Sequence, residues 1–286
     1  MRFNHLTSED GLSNNRVLSL LRDSKGFMWF GTFDGLNRYD GYEFQVFKHI
    51  PEDENSLSTN FVEVIFEDHD GTLWLGTRGG GLNRFDPRTE RFTRYRHDPE
   101  DPQSLGSNTV LAIYQDQEGS LWVGTAGGGL NRYDPLMDGF VRYQNDPGDP
   151  QSLSNNSIRA IIEDADGIMW IGTEGGGFNR FDRQTETFTA YQHNPGDTNS
   201  LSHDTVTAVY QDRDGVFWLC TWGGGLNRLE IGKEGGKAAR FSHYVNDPDD
   251  PTSLSHNSLL HISEDKTGGL WIGTDGGGLN FFDRRT

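Results

Sequence analysis

Residues 121–134 read LWVGTAGGGLNRYD. Three successive glycines after a Thr suggest a loop that cradles phosphate. A P-loop, however, needs Gly-Lys-Ser/Thr after its four-residue spacer, because the lysine neutralises phosphate charge and the hydroxyl holds the metal. Here Leu130 and Asn131 follow Gly129. A G-x-G-x-x-G dinucleotide fingerprint does not fit either. The stretch also recurs, as MWFGTFDGLNRYD (28–40), LWLGTRGGGLNRFD (73–86), MWIGTEGGGFNRFD (169–182), FWLCTWGGGLNRLE (217–230) and LWIGTDGGGLNFFD (270–283). A motif present six times is an architectural unit before it is a site.

The equivalent tryptophans are Trp29, Trp74, Trp122, Trp170, Trp218 and Trp271, spaced by 45 to 53 residues. One full unit contains TVLAIYQD (109–116), SLWVGT (120–125), LNRYD (130–134) and FVRYQND (140–146), with the connector PGDPQSLSNN (147–156) after it. These are four short strands, rich in β-branched and aromatic residues and bounded by Gly, Asp, Asn and Pro. No helical period competes with them. Four antiparallel strands repeated every 40–50 residues predict an all-β, six-bladed β-propeller, a single domain over residues 1–286. The leading MRFNHL matches the end of a fourth strand, with Phe3 in the column of Phe47, Tyr95, Tyr143, Tyr191 and Tyr244. FFDRRT (281–286) follows a third strand. Residues 2–6 are therefore expected to pair with residues 279–283, the N-terminal strand closing the last blade.

Composition narrows the function. A net charge of −18 argues against nucleic acid and anionic membrane surfaces, which need a basic footprint. The lone Cys220 excludes an intrachain disulfide. No apolar stretch reaches membrane-spanning length, and MRFNHLTSEDG has no signal-peptide hydrophobic region.

The repeat columns have structural readings. Each Trp lies two residues before a small residue on the same strand face, which predicts packing between blades. The glycines predict a tight turn. Asp-x-x-Gly turns recur from Asp23 to Asp265, three of them as D-x-D-G. The later ligands of a calcium loop are missing, so the Asp is expected to bond its own turn backbone. Arg38, Arg84, Arg132, Arg180 and Arg228 each precede an acid by two residues, which predicts ion pairs or Arg-to-carbonyl bonds between blades. His5, His49, His97 and His193 share a column with Asn145 and Asn246. A hydrogen-bonding role suits both types, and zinc does not suit Asn. His261 stands where other blades carry small residues, and reads as a core or channel-lining histidine. Cys220 reads as packing. No metal site, no cofactor site and no nucleophile–base–acid set is visible, so no catalytic residue is assigned.

One column varies at a fixed place, the residue after the Gly-Thr pair: Phe33, Arg78, Ala126, Glu174, Trp222 and Asp275. These side chains are expected to ring one mouth of the channel. Phe33, Arg78, Glu174, Trp222 and Asp275 form the candidate ligand-binding set, because loops on a rigid scaffold commonly carry binding. A variable, solvent-exposed turn is the alternative. The insertion EIGKEGGKAAR (230–240) falls on the opposite face.

GLSNNRVLSLLRDSKGFMWFGTFDGLNRYDGYEF (11–44) and SLSNNSIRAIIEDADGIMWIGTEGGGFNRFD (152–182) resemble the two-component regulator propeller repeat, over essentially the whole chain. The resemblance implies a noncatalytic propeller from the periplasmic or extracellular sensor region of a bacterial membrane receptor, with a small-molecule or carbohydrate ligand. In that family a hybrid histidine kinase or diguanylate cyclase follows, and no such output motif occurs here. The familiar sensors carry seven blades. A protein-interaction scaffold, a reduced or engineered propeller, and a propeller lyase or hydrolase are the other readings. No ligand residue carries over, because the matching motif is the scaffold motif.

Overall fold

A computed structural model describes residues 4–231 and 239–284. They form an all-β, six-bladed propeller. Each blade is an antiparallel meander, such as Val17–Arg22, Met28–Thr32, Gly35–Tyr39 and Phe44–Phe47 in blade one. Blades one to five have four strands; the sixth, among the described residues, has three, ending with Leu279–Phe282. The blades group into two compact units of three, Met1–Tyr143 and Gln144–Thr286.

The recurrent Trp and Gly are explained by how successive blades meet. Within the first unit, a Cβ on Gly31 would lie 2.9 Å from Val62 of blade two, and one on Gly76 would lie 2.6 Å from Val110 of blade three. Within the second unit, Gly172 faces Val206 of blade five in the same way, at 2.9 Å. Two residues before each such glycine, the indole meets the next blade's aromatic: Trp29 and Phe85 at 5.5 Å, Trp74 and Tyr133 at 5.3 Å, Trp170 and Phe217 at 5.1 Å. Those tryptophans are buried. Trp271 is the exception at 40 % exposed. Its indole packs instead on Phe281 of its own blade, at 4.8 Å.

The Asp turns do what their spacing predicts, and more. Asp116 Oδ1 accepts from the Ser120 N–H at 2.8 Å, while Oδ2 accepts from Trp122 Nε1 at 2.7 Å. The same Trp-to-Asp bond occurs in all six blades. In the glycine triplet, Gly127 and Gly129 both have φ of 78°. A Cβ on the middle Gly128 would lie 2.3 Å from the Gly106 carbonyl carbon, in the connector of its own blade. The buried Asn131 Oδ1 accepts from that connector's Gly106 N–H at 2.8 Å. Its counterparts Asn83 and Asn227 grip the connector with both ends of the amide.

The His/Asn column behaves as one type. His49, His97 and His193 place Nδ1 2.8 Å from the carbonyls of Leu57, Leu105 and Leu201, and Asn145 Nδ2 donates to Leu153 O at 2.7 Å.

Three expectations are corrected. The acids of the Arg-x-acid column mostly cap their own turns: Asp86 accepts from the Arg88 N–H, and Asp182 from the Gln184 N–H, at 2.8 and 2.9 Å. They sit where the strand ends and the chain turns, so the shared-face argument stops one residue short. Arg38 does form the expected ion pair between blades, with Glu90 of blade two at 3.5 Å, whereas the Arg228–Glu230 pair lies within one strand. Arg132 instead lies over the Trp122 ring. His261 is exposed rather than in the core. Of the residues expected to close the last blade, Asn4–Leu6 carry no strand and residues 2–3 lie outside the described residues. Most of the insertion at 230–240 also lies outside them.

Candidate functional site

A β-bulge in the first strand of every blade sits beside the variable column. Register slips between Val62 and Val64, Ile158 and Ala160, Val206 and Ala208, and Leu259 and His261. The extra residues are Glu63, Arg159, Thr207 and Leu260. A bulge re-aims its extra side chain, and here it meets the variable column fifteen residues later. Arg78 Nε donates to Glu63 Oε2 at 2.8 Å, and Arg159 Nη2 donates to Glu174 Oε2 at 2.8 Å. The two blades carry the same pair with the charges exchanged.

The backbone of the variable residue is pinned. The N–H of Arg78, Ala126, Glu174, Trp222 and Asp275 each donates to the carbonyl just before or at the start of its blade's first strand, at 2.9–3.1 Å. Side chains can therefore vary without moving the turn.

In the first unit, Phe33 and Arg78 come together through Phe61. The Phe33 and Phe61 centroids are 4.2 Å apart, the Arg16 guanidinium lies 4.2 Å over Phe33, and that of Arg78 lies 5.0 Å over Phe61. This is a stack already satisfied by its own members. In the second unit, Glu174 and Trp222 line one cavity of about 380 Å³ with Arg159, Thr205, Thr207 and Leu260. Trp222 is 44 % exposed, as few aromatics in this molecule are. Thr207 Oγ1 donates to the Leu259 carbonyl at 2.7 Å. Asp275 is exposed and lines none of this cavity.

Sequence reasoning found the variable column and missed the bulge column. The signal was present, since Glu63 and Arg159 exchange sign with Arg78 and Glu174, but one needs the register to align them. Cys220 is buried against Leu259, and burial pushes its thiol well above the usual range, so it remains a protonated packing group.

The repeat model for the two component regulator propeller matches residues 11–34, 56–79, 104–127, 152–175, 200–223 and 253–276. The chain belongs to the two component regulator propeller family. Each match runs from the connector through the variable residue. A 54-residue stretch is 43 % identical to histidine kinase P4 of Formosa agariphila, covering 19 % of this chain and 4 % of that protein. The extracellular domain of the hybrid two component system BT3049 from B. thetaiotaomicron is 30 % identical over 97 % of this chain and 41 % of its own, with a TM-score of 0.56. That of BT4673 from the same organism shares the fold, at 23 % identity and a TM-score of 0.56, over 94 % of this chain and 42 % of its own. This regulator propeller thus resembles extracellular sensor domains and spans under half the length of each relative.

Proposed function

We propose that this regulator propeller is a noncatalytic ligand-sensing segment, extracytoplasmic in a bacterial two-component receptor, whose ligand is a small polar molecule or carbohydrate held at the mouth around Trp222. The observation that carries the reading is the second unit's cavity. Its volume falls in the range of small-ligand sites, roughly 300–1,000 Å³. One exposed indole offers a stacking face, and the Arg159–Glu174 pair offers donors and an acceptor with no net charge. An uncharged, hydroxyl-rich ligand fits those groups. The acids of the two Arg–Glu pairs, Glu63 and Glu174, are ion-paired, which supports binding over acid–base chemistry.

A thermal-shift screen of oligosaccharides and small metabolites tests this. Saturable stabilisation without turnover is expected, about 2.7 kcal/mol at a hundredfold excess over Kd. Trp222→Ala should abolish the shift and leave the unliganded melting curve nearly unchanged. Turnover of a bound compound, or a shift that survives Trp222→Ala, overturns the reading.

A further inference from the structure

The fourth strand of a blade meets the connector that leads into that blade, and one side chain at the meeting point differs between blades. In blade two the strand Arg91–Tyr95 sets Arg94 opposite Asn83. Arg94 Nε donates to the Ser56 carbonyl at 2.9 Å, and Nη2 donates to the Asp53 carbonyl at 2.6 Å and to Ser56 Oγ at 2.8 Å. Blade three repeats this with Arg142, opposite Asn131. Its Nε lies 2.7 Å from Ser104 O, and its Nη2 lies 2.6 Å from both Asp101 O and Ser104 Oγ. The two loops thus hold a guanidinium with the same three oxygens, two carbonyls and a hydroxyl. In blade five His243, opposite Asn227, places Nε2 2.7 Å from Ser200 O.

Blade four has the loop without the donor. Ala190 stands opposite Asn179, the register position of Arg142 in blade three. The loop keeps its build. Ser152 Oγ accepts from the Asp146 N–H at 2.9 Å and lies 3.0 and 2.8 Å from the carbonyls of Asp146 and Asp149. Ser104 Oγ makes the same set with Asp98 and Asp101, at 2.8, 2.9 and 2.9 Å. The strand docks on the loop in the same way, Phe188 N–H to Gln151 O and Phe140 N–H to Gln103 O, each at 2.7 Å. Among the described residues, no donor reaches Ser152 O, and none but Ser152 itself reaches Asp149 O. Ala190 is exposed, so the place that a guanidinium fills in blades two and three opens to solvent. Blade one carries Val46 in this register, and its connector holds a short helical turn, Ser8–Asp10, instead of this loop.

We propose that this loop, beside Ala190, is a guanidinium-binding site. A ligand's guanidinium takes the place that Arg94 and Arg142 fill in their own blades, and donates to Asp149 O, Ser152 O and Ser152 Oγ. The cradle is formed before the ligand arrives, because Ser152 braces the loop without help from residue 190. Such preorganisation lowers the ordering cost of binding. A planar fork of donors matches three fixed oxygens, which the compact charge of an ammonium does not. The exposed Asp146 and Asp149 and the net charge of −18 draw a cation toward the loop. The guanidinium can be that of a free small molecule or of an arginine side chain on another protein, and the contacts are the same for both.

The test uses the isotope-labelled full chain and two probes, butylguanidinium and the peptide acetyl-Gly-Arg-Gly-amide, followed by NMR. The carbonyl resonances of Asp149 and Ser152 should move saturably, while those of Asp101 and Ser104 stay in place because Arg142 holds their cradle. A response to the peptide alone assigns the guanidinium to a protein-borne arginine, and a response to butylguanidinium alone assigns it to a small molecule. Ala190→Arg should fill the cradle from within. That variant should melt at a higher temperature and bind the responding probe about tenfold more weakly, or worse, since charged hydrogen bonds are lost. Arg142→Ala should open a second cradle, so that Asp101 and Ser104 respond as well. No saturable movement with either probe, undiminished binding by Ala190→Arg, or equal binding of butylammonium overturns the proposal. Trp222→Ala should leave both titrations unchanged, so failure here is distinct from failure at the mouth.

Discussion

At the scale of single residues, the repeated Trp has two roles, and only one is legible from its spacing. Packing follows from the small residue two positions on; the Nε1 bond to the turn Asp does not, because it needs the first and second strands to be paired. The packing role differs between blades by exposure alone. Trp122→Ala should cost about 3–5 kcal/mol in urea unfolding, as for other buried large-to-small changes. Trp271→Ala, from a side chain 40 % exposed, should cost about 1–2 kcal/mol. Equal losses at the two positions would refute the assignment of Trp271 to an uncovered face. Gly76→Ala should also destabilise, because its Cβ would lie 2.5 Å from Val64 and 2.6 Å from Val110. Overpacking of that kind costs about 1–3 kcal/mol, read from the same titration.

At the scale of elements, hairpins and bulges decide what the columns mean. The third-to-fourth hairpin of blade three ends in Asp138, at φ 50°. Its carboxylate accepts from Tyr133 at 2.6 Å and from Tyr95 of blade two at 2.8 Å. Those bonds, the Tyr133 bond first, hold the Asp138 pKa below its ordinary 3.8. The folded value lies below the unfolded one, so the stabilisation is complete above that ordinary value and fades as pH falls through the lowered one. Asp138→Asn keeps an acceptor and tolerates the positive φ, but cannot titrate. Its Tm should fall less than that of the parent chain between pH 5 and pH 3, and parallel curves would show that the network does not titrate. The bulge gives a second expectation. Arg159 and Glu174 are partly exposed partners, so a double-mutant cycle to Ala should return a coupling of about 0.2–1 kcal/mol that shrinks with salt. Strand number and order were readable from runs such as SLWVGT, because periodicity and turn residues are local. The Glu63 and Arg159 column was not, because a bulge is a property of two strands in register. The partner of Asp86 was misread for a related reason: the position belongs to the turn as much as to the strand.

At the scale of the whole molecule, the sixfold repeat makes stability nearly one-dimensional, each blade relying on its neighbours. The blade count followed from six Trp motifs, and the candidate mouth from the one column that varies. The state of the last blade did not follow, because Phe3 matched a column by sequence while strand closure depends on pairing that Asn4–Leu6 do not make. That edge should dominate local opening. Among the described residues, Leu279–Phe282 has a ladder on one side only, and Leu279 and Phe281 are 65 % and 46 % exposed. Few buried contacts and solvent-facing backbone bonds lower the free energy of opening. In blade three, the equivalent Leu130–Asp134 is bonded on both sides and begins with a fully buried Leu130. Native-state hydrogen exchange read by peptide mass should therefore show residues 279–282 exchanging well before residues 130–134. Equal protection of the two segments would mean that the edge is covered in solution.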